Sequence, residues 1–151
     1  MPATPVSLKA RALRLLGSRE YSRLELQRKL SAHEEQAGSL TQTLDELQAK
    51  GFIDEQRVLE SVIHRRAAKL GAARVKQELQ AKGLDAQSIS QAMAGLRDTE
   101  LARAREVWRK RFDTPTADAK ARAQQARFLA ARGFGGDTIR QVLNLPDDEA
   151  K

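Results

Sequence analysis

The sequence contains no cysteine, which excludes disulfide bonds and thiolate metal sites. It has no apolar run that approaches the roughly 20 residues needed to cross a bilayer. The opening residues, Met1 to Ser7, lack the apolar stretch of a secretory signal. From these absences we expect a cytoplasmic protein that does not use a membrane.

Proline, glycine and aromatic residues are also scarce. The 151 residues include four prolines, nine glycines and 4% aromatic residues. Alanine, leucine, glutamine, arginine, lysine and glutamate are abundant, and these residues lose little side-chain freedom in a helix. Residues with a strong strand preference never alternate over a strand-length run. The composition therefore predicts an all-α fold without a sheet.

Signals for helix starts and helix ends recur along the chain. Ser22 and Glu25 have the spacing of a capping box, in which each side chain accepts a hydrogen bond from the other residue's backbone N–H. Residues 50–52, 82–84 and 132–134 read Lys-Gly-Phe, Lys-Gly-Leu and Arg-Gly-Phe. Glycine in this context takes the left-handed conformation that ends a helix, and the next apolar residue folds back on the last turn. We therefore predict a helix start after Ser22 and helix ends at these three glycines.

Aspartates stand at the predicted starts of further helices, where a side-chain oxygen satisfies free backbone N–H groups. These residues are Asp54, Asp85, Asp98 and Asp137. The pattern predicts that a long helix begins after Asp98 and that Thr114-Pro115 ends it, because proline is tolerated only in a first turn. Another helix is predicted from about Thr116. Capping explains these carboxylates without a catalytic role.

Two segments, 75–84 and 126–134, look like copies of one helix and its stop, and residues 22–30 resemble a further copy. Three-helix units of this size bury too little surface alone and depend on their neighbours. We therefore predict an elongated, curved array of three tandem three-helix repeats. The predicted ranges are a disordered N-terminus at 1–7, repeats at 8–53, 54–97 and 98–144, and an acidic tail at 145–151.

No arrangement in the sequence predicts an active site, a metal site or a cofactor site. His33 and His64 lack the partners of an HxxxH or HExxH motif. The glycines at 133–136 follow no strand and precede no Lys-Ser or Lys-Thr, so they do not form a phosphate-binding loop. Trp108 and Phe112 could stack on bases, but their spacing along one helix face favours packing in the core. We expect a protein that is not an enzyme.

The chain has 27 lysines and arginines against 20 aspartates and glutamates, a net charge of +7. This surplus favours contact with phosphates or with an acidic protein surface. A solvated helix face, with Glu100 and Glu106 as partners, explains any single basic residue equally well, so the prediction depends on the cluster. The candidate binding residues are Arg65, Arg74, Lys76, Arg103, Arg109, Lys110, Arg111, Arg122, Arg127 and Arg132.

Arg66 has a different predicted role. A helical wheel places it in the sector of Val62 and Ile63, on the inward side, where a guanidinium must be paired if it is buried. We predict an ion pair between Arg66 and Glu78 of the next helix, which holds the middle repeat together.

Several blocks of the sequence, spread from about Leu8 to Leu143, share their order and spacing with the bacterial RecX regulators. The blocks are Ala12 to Leu30, Leu44 to Leu47 with Lys50 to Asp54, the set Arg66, Lys69, Gly71, Val75, Glu78 and Leu79 continuing to Leu84, and Arg127 to Leu129 with Arg132 to Phe134 and Ile139. No single block is specific, but the combination resembles this family over nearly the whole chain.

The resemblance implies a non-enzymatic modulator of the RecA recombinase, active in DNA repair, DNA recombination and the SOS response. Such a protein lies in the groove of the RecA filament on single-stranded DNA and generally inhibits ATP hydrolysis and strand exchange. The expected partners are therefore the RecA filament and, more weakly, single-stranded DNA, with the protein itself a monomer. On this interpretation the basic surface of the second and third repeats supplies the contacts.

A free-standing helical DNA-binding protein is the alternative, because it would also be basic and helical. Such a protein is expected to have a helix-turn-helix with polar base-reading residues at a helix start. Residues 72–82 are the segment most similar to one, but they lack a convincing set of such residues. Tight binding to duplex DNA without a recombinase would favour this alternative.

Overall fold

A computed structural model describes residues 6–144, and every regular element in this range is helical. The all-α prediction is therefore confirmed. The helices are α1 (Leu8–Ser18), α2 (Arg23–Leu30), a 3₁₀ turn (Ser31–His33), α3 (Ser39–Ala49), α4 (Glu55–Arg66), α5 (Ala72–Ala81), α6 (Ala86–Arg111), α7 (Ala119–Ala131) and α8 (Gly136–Leu143). The predicted tail at 145–151 and most of the predicted N-terminal segment lie outside the described residues.

The chain divides into two compact units. Unit 1 comprises the residues up to 61 together with 81–84, and unit 2 comprises 62–80 with the residues from 85 onwards. The division falls within α4, so it does not follow the boundaries of the three predicted repeats. Those boundaries stay a prediction.

The core of unit 1 joins α1, α2 and α3. Its helical members are mainly leucines that recur at helical spacing and so share one face of each helix. Two further buried side chains come from the segments after α1 and α3. The buried set is Ala12, Tyr21, Leu26, Leu30, Leu40, Leu44, Leu47 and Ile53. Partly buried leucines of α1 cover this core.

The predicted capping box at the start of α2 is confirmed. Ser22 Oγ accepts from the backbone N–H of Glu25 at 3.2 Å, and Glu25 Oε1 accepts from the N–H of Ser22 at 2.9 Å. The other oxygen of Glu25 accepts from Arg19 at 2.9 Å and from Lys82 at 3.1 Å. Burial by itself raises the pKa of Glu25, but the hydrogen bonds from Arg19, Ser22 and Lys82 outweigh it and lower this pKa to about 2.

Unit 2 is organised around the long helix α6. The second core cluster consists of buried Ala104, Leu129, Phe134 and Ile139, with Trp108 and other apolar side chains of α6, α7 and α8 packed against it. Trp108 Nε1 also donates to Gln125 Oε1 at 2.9 Å. The apolar ring and the N–H of the indole therefore both have contacts within unit 2.

Three predicted helix boundaries in unit 2 are wrong. Asp98 caps no helix, because α6 runs without interruption from Ala86 to Arg111. No proline lies near Asp98, and the nearby Gly95 does not take the left-handed conformation that ends a helix. Asp118, and not Thr116, is the N-cap of α7, and Asp137 lies in the first turn of α8, where it pairs with Arg140.

The predicted helix ends form as the sequence indicates. At the third, Gly133 has φ of +93° and the N–H of Phe134 donates to the carbonyl of Leu129 at 3.2 Å. Phe134 is buried. At the first, the backbone follows the same pattern, but Phe52 is 47% exposed. The expectation that Phe52 folds back is therefore wrong, and the next residue, Ile53, fills the core instead.

Within each unit, one helix end packs closely against the start of an earlier helix. In unit 2, the N–H of Gly71 donates to the carbonyl of Arg132 at 2.7 Å, and the N–H of Ala73 donates to that of Gly133 at 3.3 Å. A Cβ atom on Gly71 would lie 2.3 Å from the Gly133 backbone. In unit 1, Gly83 meets the side chain of Leu24 in a comparable way.

We expect Gly71→Ala to destabilise unit 2 by several kcal/mol, since the added methyl group collides with backbone that cannot move aside cheaply. Gly95→Ala is the matched control, because nothing lies within 4 Å of a Cβ at this helical position. The control should gain about 0.5 to 1 kcal/mol. Urea unfolding followed by circular dichroism measures both changes. Equal stability of the two variants would contradict the close packing at Gly71.

Glu25→Gln is expected to lower the free energy of unfolding at pH 7 by roughly 1 to 3 kcal/mol. The pKa of Glu25 is about 2 in the folded state against an ordinary 4.5, so its contribution is complete above pH 4.5 and is lost as pH falls towards 2. The difference between wild type and variant should therefore shrink over this interval. Glu35→Gln, at an exposed position, should show no such trend. A difference independent of pH would contradict the assignment.

Candidate binding surface

The described residues contain no arrangement suited to metal chemistry. In the range 6–144, histidine, aspartate and glutamate side chains nowhere form a group of three that could hold a metal ion. His33 and His64 are both exposed. None of the helices in the same range combines the length and apolar character needed to span a bilayer. The binding surface must therefore be sought among the basic residues.

Arg103 is used inside the fold. Its Nη1 donates to the carbonyls of Ala67 at 2.7 Å and Leu70 at 2.8 Å, and its Nη2 donates to Leu96 at 3.0 Å. Ala67 and Leu70 follow the end of α4, so the guanidinium satisfies acceptors that a helix end leaves free, and the carbonyl of Leu96 lies within α6. Burial lowers the pKa of Arg103, although an arginine keeps its charge. Arg103 therefore has a role inside the fold, and its role in binding stays a prediction.

Arg74 and Arg122 also contact the backbone of their own unit. Nη1 of Arg74 donates to the carbonyl of Ala131 at 2.7 Å. Nη2 of Arg122 lies 3.4 Å from the carbonyl oxygens of Leu143 and Asn144. Both side chains therefore fix helix ends and have fewer donors left for a partner than a fully solvated arginine has.

Two other predicted residues pair with carboxylates. Arg65 reaches Glu78 at 3.5 Å, and Arg109 pairs with Glu106. Arg66 also reaches Glu78, at 3.1 Å, but its side chain is 46% exposed. The ion pair with Glu78 is therefore present, but the prediction of an inward Arg66 is wrong, and Arg66 is the last residue of α4.

Three of the predicted residues meet in one groove of unit 2. The groove has a volume of about 420 Å³ and lies between the segment after α4, the end of α6 and the end of α7. Four cations surround an apolar floor. The lining residues are Ala68, Lys69, Val107, Lys110, Arg111, Phe128 and Arg132.

The ring of Phe128 organises the two guanidiniums of this groove. The central carbon of Arg132 lies 4.5 Å from the ring centroid and that of Arg111 lies 5.8 Å from it. Phe112 packs edge-on against the same ring, with centroids 5.3 Å apart. Cation–π contact orients a guanidinium without using its N–H donors. Within the described range, 6–144, the guanidiniums of Arg111 and Arg132 have no hydrogen-bond acceptor, so these donors are available to an anion.

The four groove cations have no carboxylate within ion-pair distance among residues 6–144. Lys69 was missed as a site residue by reasoning from the sequence, since it follows α4 in an irregular segment and belongs to no helix face. Lys76 and Arg127 are exposed but do not line the groove. The structure thus groups Lys110, Arg111 and Arg132 and adds Lys69.

Comparisons with known proteins agree with this architecture. Residues 54–93 match a family model described as the second three-helix domain of RecX, and residues 98–143 match the third. The regulatory protein RecX of Leptothrix cholodnii is 52% identical over 144 residues, which cover 95% of this chain and 92% of that protein. The RecX of Ralstonia nicotianae is 42% identical over 147 residues, covering 97% and 92%.

A solved structure shows the same fold at low sequence identity. The crystal structure of RecX from Lactobacillus salivarius superposes with a TM-score of 0.73 at 18% identity, over 92% of this chain and 96% of that one. Fold and relatives together define a small all-helical regulatory protein with three-helix domains. The chain belongs to the RecX family, which confirms the resemblance found in the sequence.

We expect Arg103→Ala to lower the free energy of unfolding by roughly 2 to 4 kcal/mol, because it leaves half-buried carbonyls without a donor. Arg66→Ala should cost less than about 1 kcal/mol, since it breaks an exposed ion pair. Chemical denaturation of both variants against wild type measures the contrast. A loss for Arg66→Ala as large as that for Arg103→Ala would show that the exposed pair, and not the carbonyl contacts, holds the unit together.

Proposed function

We propose that this protein regulates the RecA recombinase by binding the RecA filament on single-stranded DNA and reducing its ATP hydrolysis and strand exchange. The observation that supports this proposal most directly is the groove of Lys69, Lys110, Arg111 and Arg132. Membership of a family named as regulatory proteins requires a target. The groove is the surface of unit 2 best suited to an anionic one.

Charge and shape both favour a macromolecular anion as the target. Guanidiniums held over Phe128 bind an anion with little loss of side-chain freedom, because their positions are already restricted. The apolar floor of Ala68, Val107 and Phe128 adds contact area that a small ion would leave unused. An acidic protein surface next to DNA phosphates offers both kinds of contact.

Regulation follows if the groove binds one state of the filament more tightly than another. A ligand shifts an equilibrium only by its difference in affinity for the two states. A protein that contacts RecA and the adjacent DNA binds only where both have the right spacing. It therefore favours a filament state with that spacing at the expense of the state that hydrolyses ATP. No chemical step and no cofactor are needed, and we assign a monomer in the cytoplasm to this role.

The free-standing DNA-binding alternative is less well supported by the geometry of α5. The N–H of Ala72, at its first residue, donates to Glu100 Oε1 at 3.0 Å, so a carboxylate of the same unit already occupies this helix start. The first turn presents Ala72 and Ala73, which have no base-reading groups. Arg74 is committed to the carbonyl of Ala131. The start of α5 therefore lacks the side chains of a recognition helix.

The double variant Lys110→Glu/Arg111→Glu should raise the concentration needed for half-inhibition of RecA ATP hydrolysis on single-stranded DNA by about tenfold or more. Charge reversal places two carboxylates where the groove binds an anion. Filament binding measured in parallel should weaken by a similar factor and become less dependent on salt.

The matched control is Arg105→Glu/Lys120→Glu, which makes the same charge change at exposed positions of α6 and α7 outside the groove. It should inhibit within about threefold of wild type. Thermal unfolding of both variants verifies that each is folded. Inhibition and binding by the groove variant that equal those of the control would reject the groove as the contact surface.

A further inference from the structure

Unit 1 contains a second basic pocket, and none of the residues predicted to bind lines it. Its volume is about 250 Å³. The lining combines four basic side chains with two leucines, namely Arg11, Arg14, Lys29 and His33 with Leu15 and Leu30. No part of the proposed RecA contact lies here.

Local structure brings these side chains together. Arg11, Arg14 and Leu15 stand at i, i+3 and i+4 on α1 and therefore share a face of that helix. Lys29 and Leu30 end α2, and His33 ends the 3₁₀ turn that follows. Leu30 belongs to the core of unit 1 and Leu15 packs against that core, which holds the two sides of the pocket together.

The charged side chains of this pocket, Arg11, Arg14 and Lys29, have no counter-charge in the part of the chain that the structure describes. Among residues 6–144, no carboxylate lies within ion-pair distance of His33 either. Nε of Arg11 is shielded from solvent and has no hydrogen-bond acceptor in the same range. A buried donor without a partner costs about 1 to 3 kcal/mol. Its position in the pocket therefore needs a reason other than fold stability.

Helix-end electrostatics explains only part of the cluster. Lys29 lies in the last turn of α2, where a cation stabilises the negative end of a helix dipole. Arg11 and Arg14 lie in the middle of α1, where no such gain exists. Their repulsion from Lys29 is an uncompensated cost in the unbound protein. Binding of an anion between them would remove that cost.

We propose that the pocket binds a phosphoryl group. Two guanidiniums, an ammonium and an imidazole offer donors from several directions, which suits a phosphate with its tetrahedral oxygens better than a planar carboxylate. The volume exceeds the needs of one phosphate and leaves room for an attached ester group. Such a ligand is either a phosphodiester of a nucleic acid strand or a free phosphate compound. The proposal does not depend on RecA binding, because the pocket and the groove belong to different units.

The test uses the full-length double variant Arg14→Gln/Lys29→Gln, since both side chains are exposed and their removal should not unfold unit 1. Arg28→Gln/Lys120→Gln is the matched control, with the same charge change at exposed positions outside the pocket. One arm measures binding of fluorescent oligothymidylate by anisotropy at several salt concentrations. The other measures the rise in melting temperature caused by pyrophosphate.

If the ligand is a nucleic acid strand, the pocket variant should bind the oligonucleotide about tenfold more weakly at low salt. The slope of log affinity against log salt should fall by about 0.7 for each phosphate that the variant no longer neutralises. The control should stay close to wild type in both respects. If pyrophosphate raises the melting temperature of wild type but not of the pocket variant, while oligonucleotide binding is unchanged, the ligand is a free phosphate compound.

A third variant separates a ligand site from a structural role of Arg11. Arg11→Met removes the unpaired donor but keeps an unbranched apolar side chain, so the unliganded melting temperature should not fall. The pyrophosphate shift should disappear. A lower melting temperature with the shift retained would assign Arg11 to the fold alone. Wild-type behaviour of the Arg14→Gln/Lys29→Gln variant in both arms would overturn the proposal.

Discussion

The backbone contact between Gly71 and Gly133 is the constraint on which the candidate groove depends. A hydrogen bond of 2.7 Å from Gly71 to the carbonyl of Arg132 joins the start of α5 to the end of α7, and no Cβ fits between them. Lys69 and Arg132 lie within two residues of these glycines and reach the same groove. Lys69 and Arg132 are therefore held in place by close packing of the backbone beside them.

In unit 1, too, the end of one helix packs closely against the start of another, but different side chains make the contact. There the end of α5 meets the start of α2, where Gly83 contacts Leu24 and Lys82 pairs with Glu25. Glu25 completes the capping box with one carboxylate oxygen and pairs with Lys82, which is distant in the sequence, through the other. One side chain thus satisfies a helix end and ties a distant segment to it. In both units the segment that ends one helix also packs against the start of another helix.

Local rules predicted most of the helices, because capping and glycine stops act within a few residues. The capping box of Ser22 and the stop at Gly133 appear as expected. Errors arose where tertiary contacts decide. Nothing in the sequence near Asp98 shows that α6 continues. Nothing in the sequence near Arg103 shows that its guanidinium binds carbonyls after the end of α4. Lys69 was not predicted as a groove residue, because it lies in an irregular segment where no helical periodicity indicates which side chains share a face.

The basic residues fall into three groups according to what each side chain contacts. An arginine bound to carbonyls, such as Arg103, belongs to the fold and cannot leave without destabilising it. An arginine paired with a carboxylate, such as Arg109, must exchange one anion for another, so the net gain on binding is small. A cation that is held in place and has no anionic partner among residues 6–144, such as Arg132, binds without that exchange. Net charge alone does not distinguish these three states, and only the last defines a surface prepared for an external anion.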